Sequence, residues 1–219
     1  MKGRTPAFAR HSGRELRLGR RGARRGSLFF AVSAVSALIV VTAAQTPGTT
    51  TATFAGGCFW SMEHAFDELP GVVSVTVGYA GGTAKKPSYE QVEMGITGHA
   101  ESVQVVYDAA KIEYSTLLDA YWHNTDPTSG AGQFCDMGPQ YRPIIFVANE
   151  AQRDAAERSK KALEQSGRFK RVLTQIQPAS TFWPAEDYHQ HYYKTHAAAY
   201  RIYRVGCGRD ARLRQLWGS

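Results

Sequence analysis

The sequence predicts an α+β fold, and three patterns carry that expectation. Phe59, Met62, Phe66 and Leu69 recur at three- and four-residue spacing, the mark of one apolar helix face. Val73, Val75 and Val77 alternate with Ser74 and Thr76, and Val103, Val105 and Tyr107 alternate with Ser102 and Gln104, giving two period-two strands in succession. Further on, helix and strand signals are interleaved without an internal repeat. Strands paired with one another and mixed with helices suit α+β packing.

The 219 residues suffice for one sizeable domain. Residues 1–27 hold nine Lys/Arg against one acid, Glu15, a charge of +8 within a chain total of +7, so the remainder stands at −1. The basic character belongs to this segment, and no nucleic-acid partner is expected. Leu28 to Ala44 is an uncharged, mostly apolar run of 17 residues ending in Thr42-Ala43-Ala44, small residues suited to signal-peptidase cleavage before Gln45. Residues 1–44 are therefore expected to be a signal peptide. A retained N-terminal anchor is the alternative, because the run is at the short edge of what spans a bilayer. Arg24-Arg25 ahead of it loosely resembles a twin-arginine signal. Either way the domain is expected to be exported, periplasmic or otherwise extracytoplasmic, and a membrane enters only if the segment is kept. Residues 45–53, rich in Thr, Pro and Gly, are expected to be a disordered linker, with the folded domain over 54–219.

Phe54 and Ala55 end a short strand that delivers Cys58, and the helix that follows closes at Pro70-Gly71. Gly78 to Gly82 break the first alternating strand, and Thr83 to Ser88 form a loop holding Pro87. Tyr114, Leu117, Leu118, Tyr121 and Trp122 mark a second helix face, ended by Asp126-Pro127. Residues 128–141 form a long glycine-containing loop, a common place for function. Ile144 to Val147 is a buried strand. Asn149 with Gln152 resembles a capping box for a helix to Ser166, with Gly167 as its C-cap. Val172 to Gln177 is a last strand, and beyond Pro178 a long, irregular, aromatic and histidine-rich segment leads to a polar tail with Trp217.

The chemistry gathers at Gly56-Gly57-Cys58-Phe59-Trp60. The glycines allow a sharp turn that leaves the sulfur uncovered. The first turn of a helix offers unpaired N–H groups and a positive dipole end that favour a thiolate. Three cysteines, Cys58, Cys135 and Cys207, do not suit a purely structural disulfide framework. None has CxxC spacing, and His189, His191 and His196 lack a diagnostic carboxylate–histidine spacing, so no metal is expected.

Gly57-Cys58-Phe59-Trp60 resembles the signature of the A-type peptide methionine sulfoxide reductases, and the likeness extends in the family's order through Pro87-Ser88-Tyr89, Gly98-His99-Ala100-Glu101, Asp136 to Arg142 and Glu186-Asp187-Tyr188-His189-Gln190. The resemblance implies a ferredoxin-like two-layer core and a reductase of peptidyl methionine S-sulfoxide or free methionine sulfoxide. It implies Cys58 as nucleophile, Glu101 as the acid that protonates the sulfoxide oxygen, and Tyr89 and Tyr141 as donors to that oxygen. Phe59 and Trp60 would cage the substrate methyl, with Asp136 and His189 near the substrate, Asp136 orienting Tyr141 or a water and His189 as a hydrogen-bonding residue. Attack leaves a sulfenic acid that a second thiol converts to a disulfide. No bound cofactor is implied, only an external thioredoxin-like reductant, and the protein is expected to be a monomer.

The sequence departs from the family at Ser61, where some relatives carry cysteine, and in the tail, where Val205-Gly206-Cys207-Gly208 holds one cysteine and not two. Cys207, between glycines, is the expected resolving thiol, forming a Cys58–Cys207 disulfide, and Cys135 is the alternative. Residues alone also allow a cysteine hydrolase or transferase using Cys58, His189 and an acid, or a non-catalytic thiol module. The reductase reading accounts for two tyrosines, a glutamate and a spare cysteine together.

Overall fold

Six strands make one sheet in the computed structural model, which describes residues 48–218. Strand β1 (Thr49–Ala55) leads through helix α1 (Phe59–Asp67) to β2 (Val72–Ala80). A short helix α2 (Tyr89–Glu93), capped by Ser88, precedes β3 (Ala100–Asp108) and α3 (Tyr114–His123). A two-residue hairpin follows, β4 (Gly132–Gln133) and β5 (Asp136–Met137), then a 3-10 turn (Pro139–Tyr141) and β6 (Ile144–Val147). Helix α4 (Glu150–Gln165), β7 (Gln175–Pro178), β8 (Trp183–Pro184) and α5 (Tyr192–Thr195) lead to α6 (Ala197–Gly206) and α7 (Arg209–Trp217).

The sheet order is β7-β6-β1-β3-β2-β8, with β1–β3, β1–β6, β2–β3 and β2–β8 antiparallel and β6–β7 parallel. Its centre, β6-β1-β3-β2 with α1 and α3 as crossovers, is the split βαβ of ferredoxin-like folds. Strand alternation sorts the side chains. Phe54, Tyr79, Val103, Val105 and Ile145 join Met62, Phe66, Leu117 and Leu118 of α1 and α3 in the main core. Ala55, Ala80, Ala100, Ile144 and Phe146 form a smaller cluster on the other face.

The α+β expectation is met, and the differences have local causes. The linker expected to run to Thr53 gives way to strand from Thr49, because the threonines are β-branched and pair with β3 over Thr49–Phe54. The segment expected to be irregular beyond Pro178 is mostly helical from Tyr192, where Tyr193 and Tyr200 bury a face and α7 buries Leu213, Leu216 and Trp217. Asn149 does cap α4, accepting from the Gln152 N–H at 2.9 Å, but the Gln152 side chain accepts from Ala148 instead of completing the box. The signal or anchor expected over residues 1–44, and linker residues 45–47, lie outside the described residues. Among the described residues no helix is long and apolar enough to cross a membrane.

Candidate active site

Strand β1 ends in the turn Gly56-Gly57 and places Cys58 as N-cap of α1. Gly57 has φ +83°, a conformation that suits glycine, and a Cβ there would lie 2.6 Å from Gln133 Cβ. Gly56 is needed for closeness, since its Cβ would meet Met62 Sδ and Thr125 Cγ2 at 2.7 Å. The sulfur thus emerges at the bottom of a cavity of about 90 Å³ lined by Cys58, Phe59, Trp60, Tyr89, Glu101, Asp136, Tyr141 and Tyr203. That is room for the tip of a single side chain. A larger groove of about 410 Å³, between α1 and α6, is lined by His64, Glu68, Lys194 and Arg201 among others and has no thiol or buried acid on its wall.

Glu101 sits on the core face of β3, one step beyond Val103 and Val105, where alternation calls for an apolar residue. Its Oε2 accepts the Phe59 N–H at 2.9 Å, so it takes the free donor at the start of α1. Burial nonetheless pushes its carboxyl up to about 8, with Asp136 and Glu93 adding to the rise and the Phe59 N–H opposing it. Glu101 is therefore mostly protonated at neutral pH.

The expectation of a thiolate at Cys58 is not met. Burial, then the negative potential of Glu101, push the thiol up to about 12, and a hydrogen bond with Tyr203 only partly offsets them. Of the helix-start donors that were to favour the thiolate, the Phe59 N–H belongs to Glu101, and the Trp60 N–H that acts on the sulfur lowers it too little to offset burial. At rest the sulfur is a neutral thiol.

Tyr89 and Tyr141 face the same cavity, and burial raises both hydroxyls further, so they are donors at neutral pH. Tyr89 is positioned by Glu186, whose Oε1 accepts the Tyr89 N–H at 2.9 Å while its Oε2 accepts the Tyr79 hydroxyl at 2.8 Å. Phe59 is buried in the core and Trp60 half-buried, its ring stacked on Tyr192 at 3.9 Å. His189 is not the hydrogen-bonding residue expected. It is buried with neither ring nitrogen bonded, packed as a ring against Tyr89, Phe59 and Trp60 behind the cavity wall.

Asp136 joins the site through Tyr203, whose hydroxyl donates to Asp136 Oδ2 at 2.5 Å and also hydrogen-bonds the Cys58 sulfur. Burial raises the Asp136 carboxyl, opposed by Tyr203 and Arg209. Tyr203 is a site residue that sequence reading missed. The aromatic pair Tyr200 and Tyr203, three apart in one helix, was the available signal.

The cysteine pairing also differs from expectation. Cys207 is bonded to Cys135, and Cys58 is free. The cause is the docking of α6: Tyr203 is held by Asp136, the neighbour of Cys135, and one turn later Cys207 reaches the β4–β5 turn. Among the described residues, Cys135, Asp136 and Cys207 are the group whose ligand atoms cluster closely enough for a metal, within 4.8 Å, but the two sulfurs are spent on each other.

Residues 50–219 match the peptide methionine sulfoxide reductase family. The chain is 48% identical over 196 residues to peptide methionine sulfoxide reductase MsrA 2 of Caulobacter vibrioides, covering 90% of this chain and all of that protein. Among solved structures it resembles methionine sulfoxide reductase A of Corynebacterium diphtheriae (TM-score 0.62, 35% identity, 69% of this chain and 77% of that one). It also resembles Mxr1 of Saccharomyces cerevisiae in reduced form (TM-score 0.66, 31% identity, 70% and 90%).

Proposed function

The chain belongs to the peptide methionine sulfoxide reductase family, and from that premise we propose a reaction path through its own residues. The observation that carries it is the cavity that gathers the free thiol of Cys58, the carboxyls of Glu101 and Asp136 and the tyrosines Tyr89, Tyr141 and Tyr203 beside Phe59 and Trp60. The enzyme reduces methionine sulfoxide, and we assign its substrate as the S epimer in proteins or as the free amino acid. The methyl group rests against Phe59 and Trp60. The sulfoxide oxygen accepts from Tyr89, Tyr141 and protonated Glu101. As Glu101 gives its proton to the oxygen, Cys58 sulfur attacks the substrate sulfur and its own proton passes to Glu101. The hydroxyl moves to Cys58, methionine leaves, and Cys58 is a sulfenic acid; one oxygen has been transferred and two electrons have left the thiol.

The Cys135–Cys207 disulfide supports a two-step recovery in place of the direct one expected from sequence. One of the two thiols condenses with the sulfenic acid, forming a disulfide to Cys58 and releasing water. The other then attacks its partner sulfur, freeing Cys58 as a thiol and leaving Cys135–Cys207. Half-buried Cys207 and exposed Cys135 leave that bond open to an external dithiol. The dithiol is thioredoxin-like; the yeast relative Mxr1 has been solved in complex with Trx2. The basic segment and 17-residue apolar run support export, so the reductant acts outside the cytoplasm. The protein works as a monomer without a bound cofactor.

The test is reduction of a methionine-sulfoxide peptide with dithiothreitol and with thioredoxin. Cys58→Ser is expected to be inactive with both. Cys135→Ser and Cys207→Ser are expected to turn over with dithiothreitol and to lose thioredoxin turnover. No turnover by the wild-type chain with either reductant would sink the reading, and thioredoxin turnover surviving either substitution would remove the relay.

A further inference from the structure

Arg209 opens α7 two residues after Cys207, yet its side chain is one of the most deeply buried in the domain, 1% exposed. It runs under the nucleophile turn. Its Nη2 donates to the Gly56 carbonyl at 3.2 Å, to the Asn124 carbonyl at 2.6 Å and toward Met62 Sδ at 3.3 Å. Its Nη1 lies 3.5 Å from where a Gly57 Cβ would be. The guanidinium carbon stands 4.4 Å over the ring of Phe134, which holds φ +56° beside Cys135. Its neighbours Arg204 and Arg212 are paired with Asp210 and Asp126. Arg209 has no such partner among the described residues, and its Nε and Nη1 have no hydrogen bond.

A buried cation without a salt-bridge partner is costly. Main-chain carbonyls and a ring face recover part of that, but two N–H groups stay unmet. Glu101 from β3, Asp136 from β5 and Tyr203 from α6 act on the Cys58 sulfur, and Tyr89 and Tyr141 share its cavity, all acids or neutral donors; Arg209 is the cation under the turn that carries it. Burial, then the charge of Arg204, hold the guanidinium below the usual arginine range, and negative charge on Cys58 opposes that fall. The coupling is reciprocal, so the guanidinium favours negative charge on Cys58.

We infer that Arg209 is a positioning residue for the reaction: a fixed positive charge, held by main-chain carbonyls beneath Gly56-Gly57, that stabilises the sulfur of Cys58 as negative charge develops on it. The same side chain holds Phe134 beside Cys135, so one arginine braces the nucleophile turn and the recovery disulfide together. This rests on Cys58 being the reacting thiol of the path above.

With Cys135 and Cys207 bonded, Cys58 is the one free thiol, so iodoacetamide alkylation of the full-length oxidised chain against pH reads it directly. Arg209→Gln removes the charge and keeps an amide donor; Arg209→Lys keeps the charge and loses the fork. Gln is expected to slow alkylation about tenfold at a given pH, by raising the pH at which the thiolate forms by about one unit, and Lys to stay within about threefold of wild type. A folded Gln variant alkylating like wild type would overturn the inference, as would Gln and Lys slowing it equally. A second reading needs no folded Arg209 variant. The Arg209 Nε–H resonance, recorded by NMR at pH 6, is expected to differ between Cys58→Asp, which places a carboxylate where the sulfur stood, and Cys58→Ser; the same position in both would overturn the inference. A wild-type chain that alkylates at Cys58 but reduces no sulfoxide would refute the reductase path, while the Gln and Lys alkylation rates would still decide whether Arg209 acts on the Cys58 sulfur.

Discussion

Glu101→Gln separates the catalytic value of the buried carboxyl from its cost to the fold. Holding the carboxyl at about 8 against its ordinary 4.5 corresponds to about 5 kcal/mol at ~1.4 kcal/mol per pH unit, as an upper figure. The sign follows from proton uptake. Between pH 4.5 and about 8 the folded chain keeps a proton that the unfolded chain has released, so stability is greatest below 4.5 and is lost as pH rises through about 8. Glutamine cannot ionise and its carbonyl can still accept the Phe59 N–H. The variant should therefore match wild type in urea unfolding near pH 4 and exceed it at pH 9, by up to about 5 kcal/mol. Activity should move the other way. Losing the proton donor is expected to slow methionine release ~10²- to 10⁴-fold, measured in a single turnover of pre-reduced enzyme so that reductant ionisation plays no part. In wild type the same rate should fall as pH rises through about 8. A variant within threefold of the wild-type rate at pH 7 would refute the assignment of Glu101 as acid. Equal stability at pH 9 would refute its protonation.

Two other substitutions test the frame around the sulfur. Tyr203→Phe deletes the donor to Asp136 and the hydrogen bond to Cys58; at about 1.5–3 kcal/mol for a bond to a charged group, single-turnover release should slow about 10- to 100-fold, and a change under twofold would remove Tyr203 from the site. Gly57→Ala forces a side chain into φ +83° and onto Gln133 Cβ; it should cost about 3 kcal/mol, lower the melting temperature by about 10 °C, and a melt within 2 °C of wild type would show that the turn can relax.

What the sequence made legible was local. The period of Phe59, Met62 and Phe66 showed a helix starting at Cys58, and the alternation of Val103 and Val105 showed a strand whose core face, extended two residues back, includes Glu101. A buried acid on such a face has a raised pKa for reasons visible in the pattern. The contacts that remained hidden act across the chain. Glu186 meets Tyr79 and Tyr89 from about a hundred residues away, and Arg209 meets the Gly56 carbonyl across 153 positions. An arginine in a polar tail reads as solvated until a helix carries it inward. Three cysteines admit three single pairings, and their spacing does not choose among them; the contact of Tyr203 with Asp136 does. The thiolate expected at Cys58 failed for a related reason: burial by distant elements, which spacing does not show, outweighs the helix start, and the Phe59 donor there serves Glu101 of a strand.

A neutral thiol beside a protonated acid is a coherent resting state for this chemistry. Sulfoxide reduction moves one proton to oxygen and takes one from sulfur, so the site need gain no net charge if Glu101 gives the first and receives the second. Were Cys58 a standing thiolate, charge on Glu101 would be disfavoured by its neighbour and the acid would still be available, but the sulfur would lie open to any passing oxidant. With Cys58 6% exposed and its thiol pushed up to about 12, reactivity waits for a substrate whose oxygen can draw the proton from Glu101. The positive charge beneath the turn then matters at the moment of attack more than at rest, which is where a preorganised charge contributes most to a rate.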